Sequence, residues 1–132
     1  KVLSFEGNTG PYLQYTYVRI MSIFRKLKEE NINVENENII LDDMTGIERE
    51  LAAELLRFPQ AAVKSYESYR PNIIADYLFD MAKLFNNFYN SSSILKEENK
   101  KVMDARILLA KKTAFVLKEG LGLLGIKTVD RM

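Results

Sequence analysis

The chain has 132 residues, 47% hydrophobic and 28% charged, with a formal net charge of +1. This is the length of one domain with a filled core and the composition of an ordinary soluble globular protein. With neither Cys nor His present, disulfides, thiol chemistry, Ser–His or Cys–His catalysis and imidazole metal sites are all excluded.

No apolar run approaches the roughly 20 residues that a membrane helix needs, and no signal peptide is visible. The absence of Cys allows a reducing compartment, and the cytoplasm is the expected location. The chain opens on Lys1 rather than Met, which suggests a piece of a longer polypeptide. Its charge is uneven. Residues 1–28 hold five basic residues and one acid, residues 96–132 hold nine and five, and the stretch between holds five and twelve. If the two terminal helices pack together, their basic faces can merge into a patch for a polyanion. Solvated helix faces would give the same counts.

Residues 1–7 read as a short extended lead-in, and Gly7 to Gly10 as a turn. Asn8 or Thr9 can cap the first helix, and Pro11 suits its first turn, where a missing N–H costs nothing. This helix should reach about Lys28. At roughly 100° per residue, Leu13, Tyr17, Ile20, Phe24 and Leu27 gather on one side as a core face. Tyr12, Tyr15, Arg19, Ser22 and Lys26 form a second stripe that a core does not need. Residues 29–43 hold six acids and no basic residue, and Asn31, Asn33, Asn36 and Asn38 mark them as a surface loop.

Asp42 to Thr45 offers caps for a helix carrying Ile47, Leu51, Leu55 and Phe58. Pro59 should stop it and open a short helix from Gln60 to Tyr69. Pro71 repeats the device before a helix from Asn72 to Asn90, whose apolar stripe is Ile74, Leu78, Met81, Phe85 and Phe88. Ser91, Ser92 and Ser93 break that pattern. The last helix, roughly Glu98 to Leu124, repeats Met103, Ile107, Ala110, Ala114, Leu117, Leu121 and Leu124. Its alanines would let a neighbouring helix approach closely, and Gly125 is the expected C-terminal cap. The fold class expected is all-α, a helical bundle of about five helices.

Two motifs are false leads. Gly120-Leu121-Gly122-Leu123-Leu124-Gly125 matches the dinucleotide fingerprint in letters, but such a loop must follow a strand and open a helix. Here a helix precedes it, so these glycines read as close helix packing followed by a stop. Asn90-Ser91-Ser92 matches a glycosylation acceptor, with no secretory signal to support it. Asp42-Asp43 reads as a helix start rather than a metal pair, and no metal site is expected.

The Tyr12, Tyr15, Arg19 stripe has two readings from spacing alone. Tyrosines often lie half-buried with the hydroxyl wet. Phenol rings and a guanidinium also stack on unpaired bases while Arg and Lys meet phosphate, as single-stranded or looped RNA requires.

The residues also resemble a known family. Phe5-Glu6-Gly7-Asn8-Thr9-Gly10-Pro11-Tyr12-Leu13-Gln14-Tyr15, followed by Arg19, is similar to the start of the C-terminal domain of arginyl-tRNA synthetases. Asp104-Ala105-Arg106 stands where the family's D-A-L-R signature falls, followed by Val116-Leu117-Lys118-Glu119-Gly120-Leu121. Ala75-Asp76-Tyr77-Leu78 and Phe85-Asn86-Asn87-Phe88-Tyr89 match its middle helix, and Asp130-Arg131-Met132 its usual terminal tripeptide. The resemblance covers the chain except the acidic loop.

It implies an all-α anticodon-binding domain over residues 1–132 that grips the anticodon arm of arginine tRNA. By position the tRNA-binding residues are Tyr12, Tyr15, Arg19, Tyr89 and Met132. Lys26, and less strongly Lys111 and Lys112, are candidate phosphate contacts. The aromatic that some members carry one turn beyond Tyr89 is replaced by Ser93, which offers no stacking ring there. ATP, arginine and Mg would serve a separate catalytic domain, a partner of this one in the full-length chain. This chain alone would need no cofactor and catalyse nothing, with neither DNA nor a membrane as partner. The competing reading is a helical protein-interaction scaffold whose exposed aromatics bind a protein.

Overall fold

The computed structural model describes residues 9–38, 44 and 46–132. The expected lead-in over 1–7, the cap at Asn8 and the cap positions Asp42, Asp43 and Thr45 lie outside them. Among the described residues the chain forms five α-helices and no strand: α1 (Thr9–Glu29), α2 (Gly46–Leu56), α3 (Phe58–Glu67), α4 (Pro71–Ser91) and α5 (Lys100–Leu123). The all-α bundle read from the sequence is the fold observed.

Helix α4 is the axis of the bundle and packs against each of the other four. Its sequence accounts for that position. Ile74, Leu78, Met81, Phe85 and Phe88 are all buried, and Ala75 and Ala82, with no accessible surface, widen the stripe so that neighbours fit on more than one side. From α1, Leu13, Tyr17, Ile20 and Leu27 join this core, while Phe24 is only partly covered.

Helix ends follow local chemistry. Asn31 closes α1 in the left-handed region (φ 55°), and Ile32 N–H donates to the Leu27 carbonyl at 2.9 Å; Asn tolerates this conformation better than most residues. Pro59 separates α2 from α3 as expected, but α3 begins at Phe58 rather than Gln60 because proline is accepted within a first turn. Asn99 caps α5, its side chain accepting from the Lys101 and Val102 N–H groups. Gly125 (φ 76°) ends it, with Ile126 N–H bonded to the Leu121 carbonyl. A Cβ on Gly120 would stand 2.6 Å from Leu78 Cδ2, so this glycine is what lets α5 approach α4.

The acidic loop is anchored from a distance. Buried Asp104 on α5 accepts the Glu35 and Asn36 N–H groups at 3.0 Å each, and the Lys100 ammonium at 2.7 Å. Burial works to raise the Asp104 pKa, but the Lys100 and backbone hydrogen bonds outweigh it and hold the carboxyl below its usual range. Two residues on, Arg106 Nε donates to Glu48 of α2 at 2.8 Å. Its Nη1 reaches Glu97 at 3.0 Å and the Ser93 carbonyl. The acid and the base of the Asp104-Ala105-Arg106 signature therefore clamp the loop, α2 and the α4–α5 link onto one helix.

Candidate nucleic-acid interface

Helices α1 and α4 run side by side in the same direction, since Tyr12, Thr16 and Arg19 meet Phe79, Asn86 and Tyr89 in ascending order. Between them sits Asn86, a buried amide in the otherwise apolar row of α4. A guanidinium offers only donors, so Oδ1 must face Arg19. It accepts from Arg19 Nη1 at 2.7 Å, while Nδ2 donates to the Tyr12 hydroxyl at 2.9 Å and the Thr16 hydroxyl at 3.0 Å. Thr16 in turn donates to the Tyr12 carbonyl at 3.0 Å. A buried polar group is tolerated only when satisfied in this way.

The Asn86 contact aims Arg19 into a ladder of π-faces. The guanidinium carbon lies 4.6 Å from the Tyr89 ring centre and 5.4 Å from that of Tyr15. Tyr89 continues inward to Phe85, with ring centres 6.2 Å apart and planes 19° from parallel. The order Phe85, Tyr89, Arg19, Tyr15 runs from a fully buried ring to one that is 49% exposed. Such contacts between a guanidinium and ring faces are attractive. Arg19 keeps further N–H groups beyond the one given to Asn86, and the outermost ring presents a stacking face.

The expected site residues are not all equivalent. Tyr15, Arg19 and Tyr89 come together in the ladder. Tyr12 does not project with them: it is half-buried, its ring centre 5.4 Å from that of Phe79 and its hydroxyl bonded to Asn86. Helix α4 covers the side of α1 to which Tyr12 points. Lys26 is exposed two turns beyond Arg19. Met132 is 76% exposed, and its tail is tethered along α1 where Gln14 donates to the Lys127 carbonyl and Arg25 to the Asp130 carbonyl, each at 3.2 Å. Ser93 is exposed and spends its hydroxyl on the Lys96 N–H. Lys111 and Lys112 lie apart from the ladder, on the α2 side of α5, in a groove with Leu56 and Phe115. Although α1 and α5 pack together, these lysines do not merge with the basic residues of α1.

Asn86 is the residue that spacing arguments missed. The available signal was a polar side chain within the apolar row between Phe85 and Phe88. Among the described residues, no group of three or more Asp or Glu side chains is placed to hold a metal ion, and no helix is long and apolar enough to cross a membrane.

Comparison with known proteins agrees with this architecture. An arginine–tRNA ligase of Fusobacterium nucleatum is 52% identical over 132 residues, which is all of this chain and 23% of the relative. The chain thus spans under a quarter of that curated relative's length. Among solved structures, the arginyl-tRNA synthetase of Thermus thermophilus superposes with a TM-score of 0.80 at 34% identity, covering 98% of this chain and 22% of that one. That of Plasmodium falciparum gives 0.71 at 28% identity, with coverage of 98% and 22%. Residues 13–132 match the family described as the DALR anticodon binding domain. The chain belongs to that family.

Proposed function

We propose that this chain binds the anticodon arm of arginine tRNA and positions it for an arginine–tRNA ligase of which residues 1–132 form the anticodon-binding domain. The observation that carries this reading is the ladder: the Arg19 guanidinium lies over the Tyr15 and Tyr89 rings and is aimed by Asn86. A preorganised guanidinium beside an exposed phenol suits an unpaired base, which offers a π-face and a polar edge together. Family membership favours RNA over a protein-binding scaffold for this surface. Tyr15 stacks, Arg19 meets a base edge or phosphate, and Tyr89 backs the guanidinium. Lys26 contacts the backbone, Met132 approaches from the tethered tail, and Tyr12 acts chiefly by holding Asn86.

The parent ligase would use ATP, Mg and arginine in a catalytic domain that partners this one, in the cytoplasm. This domain takes no cofactor and performs no chemistry; its contribution is selection. The experiment is a binding titration with the arginine anticodon stem–loop and an unrelated hairpin at two ionic strengths. Preference for the cognate loop, with affinity falling steeply as salt rises, supports the reading. Equal binding to both hairpins removes it.

A further inference from the structure

The last turn of α4 and the link into α5 form an open cavity of about 540 Å³ against α1. Of the ladder residues only Tyr89 lines it. Its walls are set by the fold. Ile94 is buried at 3% exposure, Ser92 N–H closes on the Phe88 carbonyl at 2.9 Å, and the Ser93 carbonyl is held by Arg106.

The lining carries two kinds of chemistry. Lys26 from α1 and Lys96 from the link are exposed, and neither ammonium makes a hydrogen bond or ion pair to a described residue. Nearer the helix the groups are acceptors. The carbonyls of Tyr89, Asn90 and Ser91 accept no backbone N–H from a described residue, as expected of the last residues of a helix. This is also the negative end of the α4 dipole, which favours a partly positive amine over a phosphate. Asn90 is exposed, its side-chain amide bonded to no described residue, able to donate and accept in one plane.

We infer that this cavity seats one unpaired nucleotide of the RNA loop, and that Asn90 is a specificity-determining residue reading the edge of an amine-bearing base. Lys26 and Lys96 hold the phosphates on either side of it, and the Tyr89 ring joins the pocket to the ladder. The inference rests on the RNA-binding reading above and adds a second, base-selective contact to it. Ser93 leaves the cavity open where a large aromatic would narrow it.

Fluorescence anisotropy with the arginine anticodon stem–loop tests it, using a panel in which each loop nucleotide is replaced in turn by an abasic site. Asn90→Ala is expected to weaken the intact loop on the order of tenfold, and to have no effect on the one loop that already lacks the seated base. Lys26→Ala combined with Lys96→Ala is expected to weaken every loop. It should also flatten the slope of log affinity against log salt by about 1.4, at about 0.7 per phosphate released. All three residues are exposed, so wild-type melting temperatures confirm that the variants fold. An equal loss from Asn90→Ala across the panel, no loss at all, or an unchanged salt slope in the double variant overturns the pocket. If Arg19→Ala weakens binding while the pocket variants bind as tightly as wild type, the pocket falls and the ladder stands. If the wild-type chain does not prefer the stem–loop to an unrelated hairpin, both fall.

Discussion

The Arg19 guanidinium and the Asn86 amide meet at 2.7 Å across the α1–α4 seam, 67 residues apart in sequence. This contact ties a surface cation to the core. Without it, a long flexible side chain would lose rotamer entropy each time it met a ligand. With it, much of that ordering is completed when the chain folds.

Replacing Asn86 should therefore act twice. Asn86→Leu leaves the Tyr12 and Thr16 hydroxyls and one Arg19 donor without their partner, at a cost of about 1–3 kcal/mol in stability. It should also weaken binding to the anticodon stem–loop, although Asn86 is buried. Denaturant melts and titrations on the same samples check both. A variant that loses stability but binds RNA as tightly as wild type would show that Arg19 needs no aiming.

The rings separate by chemistry. Tyr15→Phe should keep most RNA affinity, because the stacking face survives, whereas Tyr15→Ala should lose about 1–3 kcal/mol. If the hydroxyl is the recognised group, Phe and Ala will be equally impaired in the same titration.

Asp104 gives the fold a pH dependence of known sign. Its folded pKa lies below the ordinary value of 3.8, so the unfolded chain takes up the proton first. The stability it contributes is complete above that ordinary value and is lost as pH falls through the lower folded value. Asp104→Asn should cost about 1–3 kcal/mol at neutral pH, by weakening the hold on Glu35 and Asn36. It should also flatten the fall of stability below pH 4. Urea melts of both proteins between pH 3 and 7 measure this, and parallel curves would locate the acid sensitivity elsewhere.

Two glycines on α5 should respond with opposite signs. Gly120→Ala drives a methyl into Leu78, which has no accessible surface, and should cost about 1–3 kcal/mol. A Cβ at Gly122 meets nothing within 4 Å, so Gly122→Ala should gain up to about 1 kcal/mol from helix propensity. Thermal unfolding of the pair decides it; destabilisation of both would mean that α5 packs differently around Gly122.

What was legible in the sequence was what lies within one element. The α4 stripe from Ile74 to Phe88 keeps strict helical spacing, so its burial follows from periodicity alone. Pro59, Pro71 and Gly125 act through their own backbone constraints, so the breaks were visible, with α3 starting two residues early because a first turn admits proline. Helical spacing separates the α1 stripe from the α1 core face, but periodicity in one helix does not say where its neighbours lie. Tyr12 therefore reads as outward until α4 is in place. Asn86, Asp104 and Arg106 act across separations of 58 to 74 residues, and no local pattern announces their partners. The loop over 30–38 was opaque for the same reason, since Asp104 holds it from α5.

The most direct measurement compares wild type with Arg19→Ala for binding to the arginine anticodon stem–loop and to an unrelated hairpin, each across a salt series. The ladder predicts a loss of about 1–3 kcal/mol that is larger for the cognate loop, with the wild-type preference reduced in the variant. An undiminished affinity for the cognate loop in Arg19→Ala would contradict it.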